Sequence, residues 1–186
     1  MRWKFGLVGA LIAVVASLLV GGGASGSGFR SETIWLYADA NEAADTYLPV
    51  SGEPPSEETP PSVGDRNISR DDLYVLGGTP DAPAPVGDLV GRNDIDCTFV
   101  EVDATVFSAR LLCPGVIEKF ALGTITWQAT IVFSEETSGQ PFQVAITGGT
   151  GAFANAGGEI IVHEVPSEDE LTDSVYEIRL LRFADA

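Results

Sequence analysis

The chain has 186 residues, room for one domain, and a net charge of −17 from 27 acidic against ten basic side chains. Such a surface repels nucleic acid and anionic lipid headgroups, since both are held by lysine and arginine, and so argues against those partners. Two cysteines and one histidine match no metal-ligand spacing, and no motif calls for a cofactor.

The N-terminus reads as a targeting segment. Arg2 and Lys4 form a basic start, Phe5 to Val20 carries no charge, and Gly21 to Ala24 is made of small residues. This is the three-part pattern of a secretory signal, with cleavage expected after Ala24. An uncleaved anchor is the alternative, although the apolar run is shorter than the ~20 residues that span a bilayer. Either form places the remainder outside the cytoplasm, and contact with a membrane is expected only through this segment. The segment carries two of the ten basic residues and none of the acidic ones, which leaves the exported part at −19. Residues 1–27 are therefore set apart as signal and linker, and 28–186 as a single domain.

Residues 29–40 alternate as a strand that is apolar on both faces, with Ile34, Leu36 and Ala38 on one side and Thr33, Trp35 and Tyr37 on the other. Residues 41–64, rich in proline and glutamate, and 77–87, rich in glycine and proline, read as mobile loops. Strands follow from residue 88 onward. Residues 95–102 and 106–113 flank a turn at Asp103-Ala104-Thr105. Residues 123–133 put Ile125, Trp127, Ala129, Ile131 and Phe133 on one face and threonines and Gln128 on the other. Residues 141–147 and 158–165 pair around a glycine-rich turn, and 174–183 close the chain with Tyr176, Ile178 and Leu180 on one face. About eight short strands with turn signals between them, and no amphipathic helix, predict an all-β, mostly antiparallel closed barrel. Closure removes the edges that would otherwise aggregate. Eight strands leave an interior filled by side chains or one small ligand.

Ile146 to Gly158 contains Gly149-x-Gly151-x-x-Ala154, a loose dinucleotide fingerprint. That reading requires a helix to open at the glycines. Here Gly157-Gly158 and a β-branched run follow instead, so the glycines are expected to serve a tight connection. The segment Ile146-Thr-Gly-Gly-Thr-Gly-Ala-Phe resembles the signature of the allene oxide cyclase and dirigent barrel family. Tyr37-Ala-Asp-Ala-Asn41, Asp71-Asp-Leu-Tyr74, the strand with Cys97, and Gly123-Thr-Ile-Thr-Trp-Gln128 agree with it in order, over roughly residues 33–183. The resemblance implies an eight-stranded barrel, dimeric or trimeric, with an apolar cavity for a small organic molecule that is cyclised or coupled. It also implies an inward acid at Asp71, where the family has asparagine, an inward Cys97, and Ile131 at a tyrosine of the plant pocket. The glutamate and asparagine of the plant cyclases fall on Ala38 and Ala40, and a one-residue slip would offer Asp39 and Asn41.

The residues themselves extend this set. Glu101 and Asp103 alternate onto the face of Cys97 and Phe99, where an inward acid would have a raised pKa and could protonate a ligand. Both being solvated at the strand end is the plainer reading. Asp39, Asp71 and Glu101 are thus the acid candidates, and Phe99, Ile125, Trp127, Ile131 and Phe133 the candidate cavity wall. Cys97 falls opposite Cys113 if the hairpin turns about Thr105. That suits a cross-strand disulfide, with two buried thiols or a reactive nucleophile as alternatives. His163 has no serine or cysteine to complete a triad and reads as a structural or surface residue. Three functions stay open: a barrel that binds a small apolar molecule and guides or catalyses its cyclisation or coupling, in the manner of an isomerase or dirigent protein; a lipocalin-like carrier; or a structural barrel with a filled core. The volume of the interior discriminates among them: one below a few hundred cubic ångströms, against the ~300–1,000 Å³ usual for ligand pockets, would count against both ligand functions.

Overall fold

The computed structural model describes residues 29–183 except 51, 57–58, 80–81, 107, 135–136 and 166–172. The segment from Arg2 to Ala24, expected to be a secretory signal, lies outside the described residues. Nine antiparallel strands are present among the described residues: β1 (Phe29–Ala40), β2 (Thr46–Leu48), β3 (Arg66–Thr79), β4 (Ala82–Asp103), β5 (Ser108–Lys119), β6 (Gly123–Phe133), β7 (Phe142–Gly149), β8 (Gly157–Glu164) and β9 (Ser174–Phe183). Their order is β1-β9-β8-β7-β6-β5-β4-β3, and β1 pairs again with β3, which closes an eight-stranded barrel. The short β2 is an extra strand on β3.

Period-2 alternation decides what points inward. Leu36 and Ala38 of β1, Leu111 and Cys113 of β5, Ile125 and Trp127 of β6, and Ile178 and Leu180 of β9 are all buried in one core. Fully burying each large aliphatic side chain contributes about 1.5–3 kcal/mol. One end of the barrel is packed shut by Leu73, Ile117, Ile125, Phe153, Ile160 and Leu180. The glycine-rich segment builds part of this plug. Between β7 and β8 the chain makes a single 3-10 turn, Gly151–Phe153, which drives Phe153 into the core at 3 % exposure. Gly151 has φ 59°, and a Cβ there would lie 2.3 Å from the Leu122 carbonyl oxygen, so only glycine fits. The backbone N–H groups of Thr150, Ala152, Phe153 and Ala154 are all spent on backbone carbonyls, which leaves this segment no cradle for a phosphate.

Two stretches expected to be loops carry regular elements over part of their length. Residues 77–79 and 82–87 extend β3 and β4, with Gly77 opposite Ala84, Gly78 opposite Pro83 and Thr79 opposite Ala82. Glycine and proline occur here because these residues of β3 and β4 pair only with one another, beyond the barrel wall, where proline's missing N–H costs little. Within 41–64 lie a 3-10 turn (Glu42–Ala44) and β2. The end of that stretch is tied down by Asp65, only 2 % exposed, whose carboxylate accepts from Tyr47 Oη at 2.6 Å, Ser62 N at 2.7 Å and Val50 N at 2.8 Å.

Candidate functional site

Above the packed end, and open toward the other end, the barrel holds a cavity of about 220 Å³. Its lower part is a polar layer contributed by four strands. Asp71 comes from β3, Asn93 from β4, Trp127 from β6 and Tyr176 from β9. Trp127 Nε1 donates to Asn93 Oδ1 at 2.9 Å. Indole can only donate, so this bond sets which way the Asn93 amide points. The amide nitrogen is then turned to Tyr176 Oη at 3.0 Å and Asp71 Oδ2 at 3.2 Å. Tyr176 in turn donates its hydroxyl proton to Asp71 Oδ2. Asn93 is only 1 % exposed and Tyr176 is buried, so each of these bonds is made away from bulk water.

Burial is the main influence on Asp71 and pushes its carboxyl above the ordinary range; the bonds from Tyr176 and Asn93 oppose that shift, and the charges of Asp45 and Asp173 add to it. Burial likewise pushes the Tyr176 phenol well above its ordinary value, with the Asp71 charge and hydrogen bond next. The phenol therefore stays protonated as a donor. Asp71 Oδ2 receives both donors, and the residue lines the cavity. A carboxyl fixed at a cavity wall can hold or pass a proton to a ligand there.

The upper cavity wall is apolar, with Ile131, Phe133, Phe142 and Val162, and its rim carries Asn67, Ser69, Glu164 and Ser174. Glu164 accepts from Gly139 N at 3.0 Å. Trp127 lies flat over Gly115, its partner on β5. A Cβ on Gly115 would come 2.1 Å from Trp127 Cζ2, so the glycine makes room for the indole.

Of the acids singled out from sequence, Asp71 alone lines the cavity. Asp39 lies on the outer face of β1, because Leu36 and Ala38 take the inner one; the strand keeps the register that places Ala38 inside. Burial, then the charges of Asp173 and Asp72, raise the Asp39 pKa. Glu101 is turned outward by a bulge. Phe99 pairs with Leu111, but Glu101 pairs with Arg110, so Val100 is inserted and the alternation reverses. Glu101 is exposed and forms a surface ion pair with Arg110 at 3.0 Å. Among the expected wall residues, Trp127, Ile131 and Phe133 line the cavity. Ile125 belongs to the packed end, and Phe99 packs beside the Tyr47 ring at 6.2 Å between centroids. Cys97 and Cys113 are joined in a disulfide across β4 and β5, which hints at an oxidising environment. His163 is on the outer face, stacked on Trp35 at 6.2 Å and 3.7 Å from Glu177. Asn93 and Tyr176 were not singled out as site residues. Their only signal was inward alternation, and nothing local marks a polar side chain as facing another strand's acid.

The family model for the allene oxide cyclase barrel like domain matches residues 49–177. Among solved structures, a chain named pyocyanin demethylase is 28% identical at a TM-score of 0.57, the match covering 80% of this chain and 99% of that one. Two pterocarpan synthase dirigent proteins match at 19% and 16% identity, with TM-scores of 0.53 and 0.52. Their matches cover 87% and 84% of this chain and 94% and 95% of theirs, and at these identities they show a shared fold. The comparison with curated proteins returned no match.

Proposed function

The chain belongs to the allene oxide cyclase-like barrel family, and from that premise we propose that it binds one small, flat, largely apolar molecule in the barrel and guides or catalyses its cyclisation or coupling. The observation that carries this reading is the polar layer at the base of an apolar cavity. Apolar walls with a few convergent polar groups are the usual make-up of a ligand pocket. In this reading the upper walls hold a ring, and Asp71 and Tyr176 meet its oxygen or nitrogen. Asp71 supplies or accepts the proton as charge develops, and Asn93, held by Trp127, keeps the pair aligned.

Size narrows the ligand. The 220 Å³ interior falls below the ~300–1,000 Å³ usual for drug-sized pockets. It exceeds the ~150 Å³ of an engineered apolar cavity that accepts benzene. One or two rings therefore fit. The small volume also favours a second reading, a barrel whose interior only packs.

Calorimetric titration with phenol, 1-naphthol and pyocyanin separates the two. Pyocyanin, whose three fused rings exceed the one or two that fit, is included because the name of the 28%-identical relative specifies it, and it is expected to bind more weakly than the smaller probes. Wild type is expected to bind at least one of them. Tyr176→Phe should weaken binding about tenfold through loss of one hydrogen bond, and Ile131→Trp should abolish it by filling the cavity. Binding unaffected by Ile131→Trp, or absent throughout, would refute the site. For the chemical step, Asp71→Asn should remove turnover of a converted ligand, and unchanged turnover would end the acid–base role.

We further infer that the chain is exported, from its basic-then-apolar start and the oxidised Cys97–Cys113 pair. N-terminal sequencing of the protein recovered from the producing cells' exterior should begin near Ser25. Recovery only from cytosol would contradict this.

A further inference from the structure

At the open end, a second cleft of about 240 Å³, apolar apart from Asp103 and Ser108 at its edge, adjoins the cavity, and Phe133 lines both. Three strands build one wall. Val102 of β4 pairs with Ala109 of β5, which pairs with Phe133 of β6. The facing wall is Pro60–Pro61, from the segment that precedes β3. That segment is held in place rather than draped. Phe99 N donates to Asp65 O at 2.9 Å and Gly64 N donates to Phe99 O at 2.7 Å, beside the Asp65 side-chain knot. The bulge at Val100 that turns Glu101 to solvent is also what turns Val102 inward, into the cleft. Phe133 itself is 47 % exposed, an unusual state for a phenylalanine on the inner face of a barrel.

We propose that this rim cleft is the outer half of the ligand site, and that it holds an apolar extension of the molecule whose head lies in the inner cavity. The inference rests on the reading of the inner cavity as a ligand site. It assigns the ligand to a chemical class: an amphiphile with a hydrogen-bonding head of one or two rings and an aliphatic or aryl tail that passes Phe133. The tail meets Val102, Ala109 and the two prolines, and it needs no polar partner there. The inner cavity alone selects the head; Phe133, standing between the two spaces, limits how thick a tail can pass.

A series of 4-alkylphenols, from phenol to 4-hexylphenol, tests this by calorimetry on the chain from Ser25 onward. Each methylene buried in the cleft is expected to lower Kd about fourfold, from ~0.8 kcal/mol per buried CH₂. Pro60→Asp sets a carboxylate on the wall that faces Asp103, and Ala104→Asp adds a second carboxylate beside Asp103, both at exposed positions. Each should flatten the series and leave phenol's own Kd unchanged. A flat series in the wild type, with phenol bound, would overturn the outer site and spare the inner one. A slope that survives both substitutions would overturn it too, and a Pro60→Asp shift in sedimentation would then assign the cleft to a second copy. Failure of every member to bind overturns both proposals together.

Discussion

Replacing Gly115 by alanine tests whether the polar layer is rigidly placed. The added Cβ would lie 2.1 Å from Trp127 Cζ2, 2.2 Å from Cε2 and 2.6 Å from Nε1, where ordinary contact begins near 3.4 Å. The obstacle is a buried ring packed in the barrel, so the indole must shift by more than about 1 Å or the strands must part. Overpacking of this kind costs about 1–3 kcal/mol. A shifted indole also breaks the 2.9 Å bond to Asn93 Oδ1 and leaves that buried acceptor unpaired, for another ~1–3 kcal/mol. The sum, about 2–6 kcal/mol, is a large share of the ~5–15 kcal/mol that holds a domain folded. In urea, with a slope near 2 kcal/mol/M, the midpoint should fall by roughly 1–3 M. Gly148→Ala is the matched control, since its Cβ meets only Thr126 Oγ1 at 3.4 Å; it should change stability by no more than about 0.5 kcal/mol. The near-UV circular dichroism of Trp127 should change in the first variant and not in the second. If Gly115→Ala loses less than ~1 kcal/mol and keeps that signal, the indole is not fixed by Gly115, and the alignment of Asn93 and Asp71 needs another cause.

The Cys97–Cys113 bond closes a loop of sequence separation 16, so the double alanine variant should lose about 3 kcal/mol. A urea midpoint unchanged by the substitutions would contradict a bond in the folded protein. Asp65 supplies an acid-side effect. Its carboxyl is held below its ordinary 3.8, chiefly by the Tyr47 hydroxyl and then by the Ser62 and Val50 amides. Below 3.8 the folded state binds fewer protons at this site than the unfolded state. The stabilisation is therefore complete above that pH and is lost as pH falls through the folded value. Asp65→Asn should be less stable than wild type at neutral pH, and the two stability curves should converge in acid. Parallel curves down to the lowest pH at which the protein stays folded would refute the role of the knot.

Much of the architecture is legible in the residues because it rests on short-range rules. Alternation over 123–133 sorts Trp127 and Ile131 from the threonines, and the structure puts the first set inside. The hairpin centred on Thr105 places Cys97 opposite Cys113, and the disulfide forms there. The glycines from 149 to 158 demand a connection too tight for side chains, and that connection plugs the barrel.

Composition misled over residues 77–87, because glycine and proline are tolerated in a two-stranded ribbon as readily as in a loop. Glu101 is solvated, as the plainer reading of its strand end has it, but the cause is a single inserted residue that reverses every face after it, and nothing in the local sequence announces that bulge.

The polar layer belongs to the tertiary structure alone. Asp71 and Tyr176 are 105 residues apart, and they meet because closure of the barrel brings β9 beside β1 and β1 beside β3. Period-2 patterning states which side chains share a face, but not the height at which each strand crosses the barrel. That height depends on register around all eight strands. It is what sets a carboxyl, an amide, a phenol and an indole at one level, and it joins four strand residues into one hydrogen-bonded layer.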